Sequence, residues 1–184
     1  NLINVPQKKI EIGTVIKQDT LEKQAKIIFL GIGSNLGNRK KNIDRAKIEL
    51  SNNNISIIRY SSYYETLSWP NPNHPKFLNI VLKATTNLKP IELLRICKKI
   101  EKLIGRKKMP KNSPRECDID ILDYNNMNTK DGINLPHPRM HKRNFVLFPL
   151  FEISKNWKHP VLKNHIKSLI LSLSNKDIRS IKQI

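Results

Sequence analysis

No stretch of this 184-residue chain reaches the roughly 18 uninterrupted apolar residues of a membrane span. Nor does its N-terminal stretch run from a basic segment into an apolar one, so no secretory signal is expected. Cysteine is scarce: the two present, Cys97 and Cys117, fall on different expected elements and make no metal-type pair. A reduced cytoplasm is the expected setting. Acidic residues are outnumbered, 15 against 34 Lys and Arg, which leaves a formal charge of +19. That charge is compatible with nucleic-acid binding. The lysines are spread along the chain, however, and Lys, Asn and Ile are abundant together, as an AT-rich coding sequence would give. A basic field draws in a nucleoside triphosphate equally well. Two missing motifs narrow the chemistry further. There is no Gly-x-x-x-x-Gly-Lys-Ser/Thr phosphate loop, and no Ser-centred elbow or Cys–His pair near a turn. Phosphoryl chemistry here has to rest on carboxylate-held metal and basic side chains.

What is present reads as one domain over residues 27–184, preceded by a polar, Lys-rich extension over residues 1–26. The run Lys26 to Gly33 is continuously apolar and ends in glycine, as an inner strand does. Ser34 to Arg39 makes a polar turn. A helix follows with Ile43, Ala46 and Leu50 on its buried face. Ile55 to Tyr64 is β-branched and aromatic and is expected to be one strand. The proline-rich stretch Trp69 to Pro75 has to be a loop, and Phe77 to Thr86 returns as a strand. Pro90 opens a helix with a buried stripe of Leu93, Cys97, Ile100 and Ile104. A basic loop from Arg106 to Pro114 leads to a further strand. An apolar segment, Phe145 to Ile153, and a helix from about Leu162 to Leu173 close the chain. Strands alternating with helices in this order give an α+β, antiparallel-rich sheet with helices packed on it.

The last strand carries the sharpest signal, Arg115-Glu116-Cys117-Asp118-Ile119-Asp120-Ile121-Leu122-Asp123. With a period of two, Asp118 and Asp120 share one face, and Cys117, Ile119 and Ile121 point the other way into a core. Neighbouring carboxylates repel unless a cation sits between them. Few, hard oxygen ligands suit Mg²⁺, which fills its shell with water and substrate phosphates. Arg115 adds a fork for a phosphate oxygen. An isolated Asp-x-Asp is also what a solvated strand face looks like, so its company matters.

That company is an ordered set of motifs: Gly31-Ile32-Gly33-Ser34-Asn35-Leu36-Gly37, Tyr64-Glu65-Thr66, Pro75-Lys76-Phe77-Leu78-Asn79, and Ile100-Glu101 with Gly105-Arg106. They continue with Pro114 to Ile121, Leu135-Pro136-His137-Pro138-Arg139-Met140, and Arg143 to Leu150. The set resembles the 6-hydroxymethyl-7,8-dihydropterin pyrophosphokinase family over roughly residues 27–165. The resemblance implies a ferredoxin-like α+β core and a monomer with no nucleic-acid or membrane partner. It also implies transfer of the pyrophosphoryl group of ATP to the pterin hydroxymethyl oxygen, releasing AMP. By the same resemblance, Asp118 and Asp120 hold two Mg²⁺ ions on the ATP phosphates and, with Arg115 and Lys108, carry the transfer. Arg106, His137 and Arg143 bind phosphate, while Glu101 and the backbone of Ile121 sit at the ATP pocket. Asn79 reads the pterin edge, Phe77 and Phe145 sandwich the ring, and Thr66 lies at its rim.

Departures from the family pattern are also visible. Lys98 stands where a Gln is frequent, and Lys108 where an Arg is frequent, keeping the charge without the bidentate fork. The loop Pro110-Lys111-Asn112-Ser113-Pro114 lacks the aromatic that usually closes over the pterin, which leaves Trp69 as the substitute. The alternative reading is an RNA-binding module on a ferredoxin-like sheet. Arg143 to Phe148 resembles an aromatic RNA-stacking motif but lacks its glycines. That alternative also leaves the paired aspartates unexplained.

Overall fold

The computed structural model describes residues 25–68 and 71–184; residues 1–24, on which the expected extension rests, and Trp69 lie outside the described residues. In chain order, β1 (Lys26–Ser34) is followed by α1 (Arg39–Asn52), β2 (Ile55–Tyr60), β3 (Tyr64–Thr66) and β4 (Phe77–Thr86). Then come α2 (Pro90–Ile104), β5 (Asp118–Tyr124), a 3-10 turn (Met140–Lys142) and α3 (Asn144–Ile153). The chain closes with α4 (Ile166–Leu171), α5 (Asn175–Ser180) and β6 (Lys182–Gln183). The sheet is antiparallel throughout, in the order β5-β1-β4-β3-β6, with β2 beside β3 along the same edge of β4. Two strand–helix–strand passes, each crossing the same face, give the ferredoxin-like arrangement.

β1 lies between two partners because it has something to bury on both faces. Ile28, Leu30 and Ile32 join Ile80, Leu82, Ile119 and Ile121 in one core, closed by Ile43, Ala46 and Leu50 of α1 and Leu93, Cys97 and Ile100 of α2. The 3.6-residue spacing of those helical positions is what the sequence pattern requires. On the opposite face Phe29, Val81 and Leu122 meet Val146, Leu147 and Leu150 of α3, with Trp157 and Ile166 behind them. α3 covers only part of that face.

Three local features depart from simple periodicity. The pairing of β1 with β5 shifts between Phe29, opposite Asp123, and Leu30, opposite Ile121, so Leu122 is an extra residue. Such a bulge turns the chain over. Asp123 is buried (1 % exposed) on the α3 side, where Trp157 Nε1 donates to its Oδ2 (2.8 Å). Burial pushes its carboxyl up, against the hydrogen bonds from Trp157 and Asn126. The expected strand from Ile55 to Tyr64 is instead two. Its backbone bonds are diverted at the break, where Val81 N–H donates to the Ser61 hydroxyl (3.1 Å) and Ser62 N–H donates to Glu152 of α3 (3.0 Å). The helix expected from about Leu162 is shorter and begins at Ile166, because Lys163 holds a left-handed backbone (φ 60°).

That last turn is organised by His159, which is 4 % exposed. Its Nδ1 accepts from the N–H groups of Val161 (3.2 Å) and Leu162 (3.1 Å), an arrangement available only to the neutral ring. Burial, with nearby His141 second, lowers its pKa from 6.5 to about 4. The unfolded chain therefore takes up a proton that the folded chain refuses, and stability falls as pH drops from 6.5 toward 4. His159→Asn keeps an acceptor without the titration. Thermal melts across that interval are expected to show a shallower pH dependence for the variant; an unchanged slope would count against the assignment.

Candidate active site

The uncovered part of the sheet is built from the registers of β1. Gly33 pairs with Asn79 on one side and Asp118 on the other, while Gly31 pairs with Val81 and Asp120. Residues paired across strands share a face, so bare Gly33 lies between Asp118 and Asn79 and bare Gly31 between Asp120 and Val81. The absence of a side chain is required at Gly33: a Cβ there would come 2.9 Å from Asn79 Oδ1 and 3.3 Å from Phe77 Cδ1. Above this floor is a cavity of about 970 Å³, which Thr66, Phe77, Asn79, Asp118, Asp120 and Phe145 help to line. A space of that size accommodates more than one small ligand.

Positive charge converges on the two carboxylates. Arg106 Nη1 donates to Asp118 Oδ1 and Arg115 Nη2 to Oδ2, each at 2.6 Å. Burial would raise the Asp118 pKa, but Arg115 and Arg106 outweigh it and hold the carboxyl below its ordinary range. Asp120 lies 3.3 Å from Arg143 Nη1 and 3.8 Å from His137 Nε2. For His137, burial and the charges of Arg143 and Arg139 outweigh the pull of Asp120, and the pKa is lowered. Its Nδ1 accepts from Arg139 N–H (3.2 Å), so the neutral ring carries its proton on Nε2, toward Asp120. Arg139, Lys142 and Lys107 add further charge to the lining.

The aromatic and amide groups form the other half. Asn79 Nδ2 donates to Thr66 Oγ1 (3.1 Å), both residues being buried, which fixes the amide. The Arg115 guanidinium lies over the Phe77 ring, 5.2 Å from its centroid, and that of Arg143 over Phe145 at 5.3 Å. Each ring is thus joined to a cation of the acidic half. Of the residues picked out from sequence, Thr66, Phe77, Asn79, Arg106, Arg115, Asp118, Asp120, His137, Arg143 and Phe145 come together here. Lys108, Glu101 and Ile121 do not line the cavity. Lys108 is exposed beside the lining residue Lys107. Ile121 fills the helix-covered core. Glu101 is 2 % exposed, accepts from Lys98 Nζ and Ile119 N–H at 2.7 Å each, and pairs with Arg106 at 2.8 Å. It anchors both β5 and the arginine that faces Asp118.

Asn35 was visible in the sequence only as part of a glycine-bounded turn. It is 2 % exposed and staples that turn to both loops bordering the cavity. Its Nδ2 donates to Ser68 Oγ and to the Pro75 carbonyl, each at 3.1 Å. Its Oδ1 accepts from Arg115 N–H (2.8 Å), and its own N–H donates to the Arg115 carbonyl (3.1 Å). No local pattern could reveal this, because the partners lie 33 to 80 positions away.

A family model described as 7,8-dihydro-6-hydroxymethylpterin-pyrophosphokinase matches residues 29–155. The chain belongs to this family. It is accordingly a pyrophosphokinase, and pyrophosphoryl transfer in folate biosynthesis is the activity that membership carries. Membership decides for an enzyme over the RNA-binding alternative. The 2-amino-4-hydroxy-6-hydroxymethyldihydropteridine pyrophosphokinase of Aquifex aeolicus is 44% identical over 142 residues, 76% of this chain and 88% of that one. A folic acid synthesis protein of Dictyostelium discoideum is 38% identical over 151 residues, 81% of this chain but 23% of that longer protein. Among solved structures, a Plasmodium falciparum HPPK-DHPS triple mutant with pteroate superposes with a TM-score of 0.66 at 16% identity. That match covers 88% of this chain and 47% of the other, and supports the pyrophosphokinase fold.

Asn35→Ala removes the staple and leaves the part-buried Arg115 N–H without its acceptor. Urea denaturation is expected to register a loss of ~1–3 kcal/mol, and both substrate KM values should rise together as the two loops loosen. Unchanged KM values would confine Asn35 to stability.

Proposed function

We propose that this chain transfers the β,γ-pyrophosphoryl group of ATP to the hydroxymethyl oxygen of 6-hydroxymethyl-7,8-dihydropterin. The new bond joins that oxygen to Pβ, the bond from Pβ to the oxygen bridging it to Pα breaks, AMP leaves, and the hydroxyl proton is released to water. The observation that carries the reading is the register that sets Asp118 across bare Gly33 from Asn79, with Asp120 beside bare Gly31 on the same face. That register supports reading the aspartate side of the cavity as the polyanion site and the Asn79 side as the heterocycle site.

The donor set suits Mg²⁺. Asp118 and Asp120 are hard oxygen donors on one face, and no cluster of three His, Cys, Asp or Glu side chains that could hold a metal converges anywhere among the described residues, this site included. An ion that completes its shell from phosphate and water needs no more than two carboxylates. Two Mg²⁺ ions held by these residues would supply Lewis-acid stabilisation of phosphate charge. Arg106, Arg115 and Arg143 provide guanidinium forks for phosphate oxygens, and His137 offers its Nε2–H. Lys98 and Lys107 add charge at the lining. Phe77 and Phe145 hold a flat ring by stacking, while Asn79, its amide fixed by Thr66, reads the ring edge. Catalysis of this kind comes mainly from position and electrostatics. One chain supplies every group named, which favours a monomer. The cysteines Cys97 and Cys117, both buried thiols, fit a reducing cytoplasm, and no described helix is long and apolar enough to cross a membrane.

Incubation with ATP, Mg²⁺ and the pterin is expected to yield AMP only when all are present; ADP would mean single phosphoryl transfer and would overturn the proposal. Asp118→Ala and Asp120→Ala should each lower turnover by about a thousandfold or more, with far-UV circular dichroism unchanged. Near-normal AMP formation in both would refute the metal assignment. Asn79→Ala is expected to raise the KM for pterin by about tenfold or more and that for ATP much less; equal increases would argue against its role.

A further inference from the structure

The family match ends at residue 155, yet the chain returns to the cavity well beyond it. Ser174 caps α5 by accepting from Asp177 N–H (3.1 Å). β6 then pairs with β3, Gln183 opposite Tyr64 and Lys182 opposite Glu65, and Ile184 N–H donates to the Tyr63 carbonyl (2.9 Å). Ser174, Lys176, Asp177 and Ser180 line the same cavity as Asn79 and Phe145. This segment is a wall of the site.

Apolar packing does little to hold it. None of the residues of α5, all of them described, is buried, and both residues of β6 are exposed. The attachment is polar and centred on Asn144, the first residue of α3, itself only 9 % exposed. Its Nδ2 donates to the Asp177 carbonyl (2.7 Å) and to Ser180 Oγ (3.0 Å), while its Oδ1 accepts from Phe145 N–H (2.7 Å). One amide therefore links the wall to the backbone of Phe145. At the other attachment, β6 extends the cross-strand row of Asp118, Gly33, Asn79 and Tyr64 by Gln183. Both anchor points belong to the aromatic and amide half of the cavity.

We infer that residues 174–184 form part of the pterin subsite, as a wall held in place by Asn144 acting as a positioning residue. This rests on the pterin reading of the cavity given above. A segment held by a few polar tethers belongs to the least stable part of a fold and opens without disturbing the cores. Losing it should therefore change ligand binding more than folding.

The test measures binding of 6-hydroxymethylpterin by its fluorescence, with Mg²⁺ and a non-hydrolysable ATP analogue present. It compares wild type, Asn144→Ala, a chain ending at Leu173, and that shortened chain carrying Asn144→Ala. Each single change is expected to weaken pterin binding about tenfold, with nucleotide affinity, read by calorimetry without pterin, kept within about twofold. Once the wall is absent, Asn144→Ala should add no further loss, because its effect passes through the wall. Unchanged pterin affinity in the single variants overturns the inference. So does an Asn144→Ala loss that persists undiminished in the shortened chain, or a fall in nucleotide affinity equal to that for pterin. If the shortened chain does not fold, Asn144→Ala in the full chain decides alone, and unchanged pterin affinity overturns the inference. A wild-type chain that binds no pterin overturns the functional reading as well, which separates the two failures.

Discussion

The pairing of β1 with both neighbours is the constraint from which the site follows. On one face β1 presents Ile28, Leu30 and Ile32 to the helices; on the other it presents Gly31 and Gly33 to the cavity. Antiparallel ladders on both edges fix which residues flank those glycines. A slip of one residue would send Asp118 and Asp120 into the apolar core and turn Ile119 into the cavity. The same burial that stabilises the sheet thus specifies the floor of the site.

Charge arrangement is the second layer. Asp118 meets two guanidiniums, and Arg106 shares itself between Asp118 and the buried Glu101. At this half-buried carboxylate those cations outweigh desolvation and favour the charged form. Glu101 in turn accepts from Ile119 N–H, so the backbone between the two aspartates is tied to the ion network that serves them. The large net positive charge says less than this local pairing, since most of the described lysines lie away from the cavity.

Uneven coverage of the sheet makes room for chemistry. α1 and α2 close one face, whereas α3 covers only part of the other. What α3 leaves open is bordered by two loops that Asn35 joins and by the α5 segment that Asn144 holds. A floor fixed by strand pairing and borders tethered by side-chain amides give a positioned cavity.

Much of this was legible in the chain itself. The buried stripes of α1 and α2, the bounds of β4, and the shared face of Asp118 and Asp120 all follow from side-chain periodicity, a property of neighbours a few residues apart. Motif order added the family and ten of the residues that line the cavity. Periodicity misplaced the break between β2 and β3, where Ser61 and Glu152 divert backbone bonds, and left the side of Asp123 to the bulge at Leu122. It also could not separate Glu101, which anchors from beneath, from the residues that face the cavity. The roles of Asn35 and Asn144 depend on partners tens of residues away, so only tertiary packing decides them. The sequence determined the strands, helices and inward faces, because local sterics and apolar spacing act within a few residues. The tertiary structure alone decided which polar groups meet, because hydrogen bonds between distant segments leave no period in the chain.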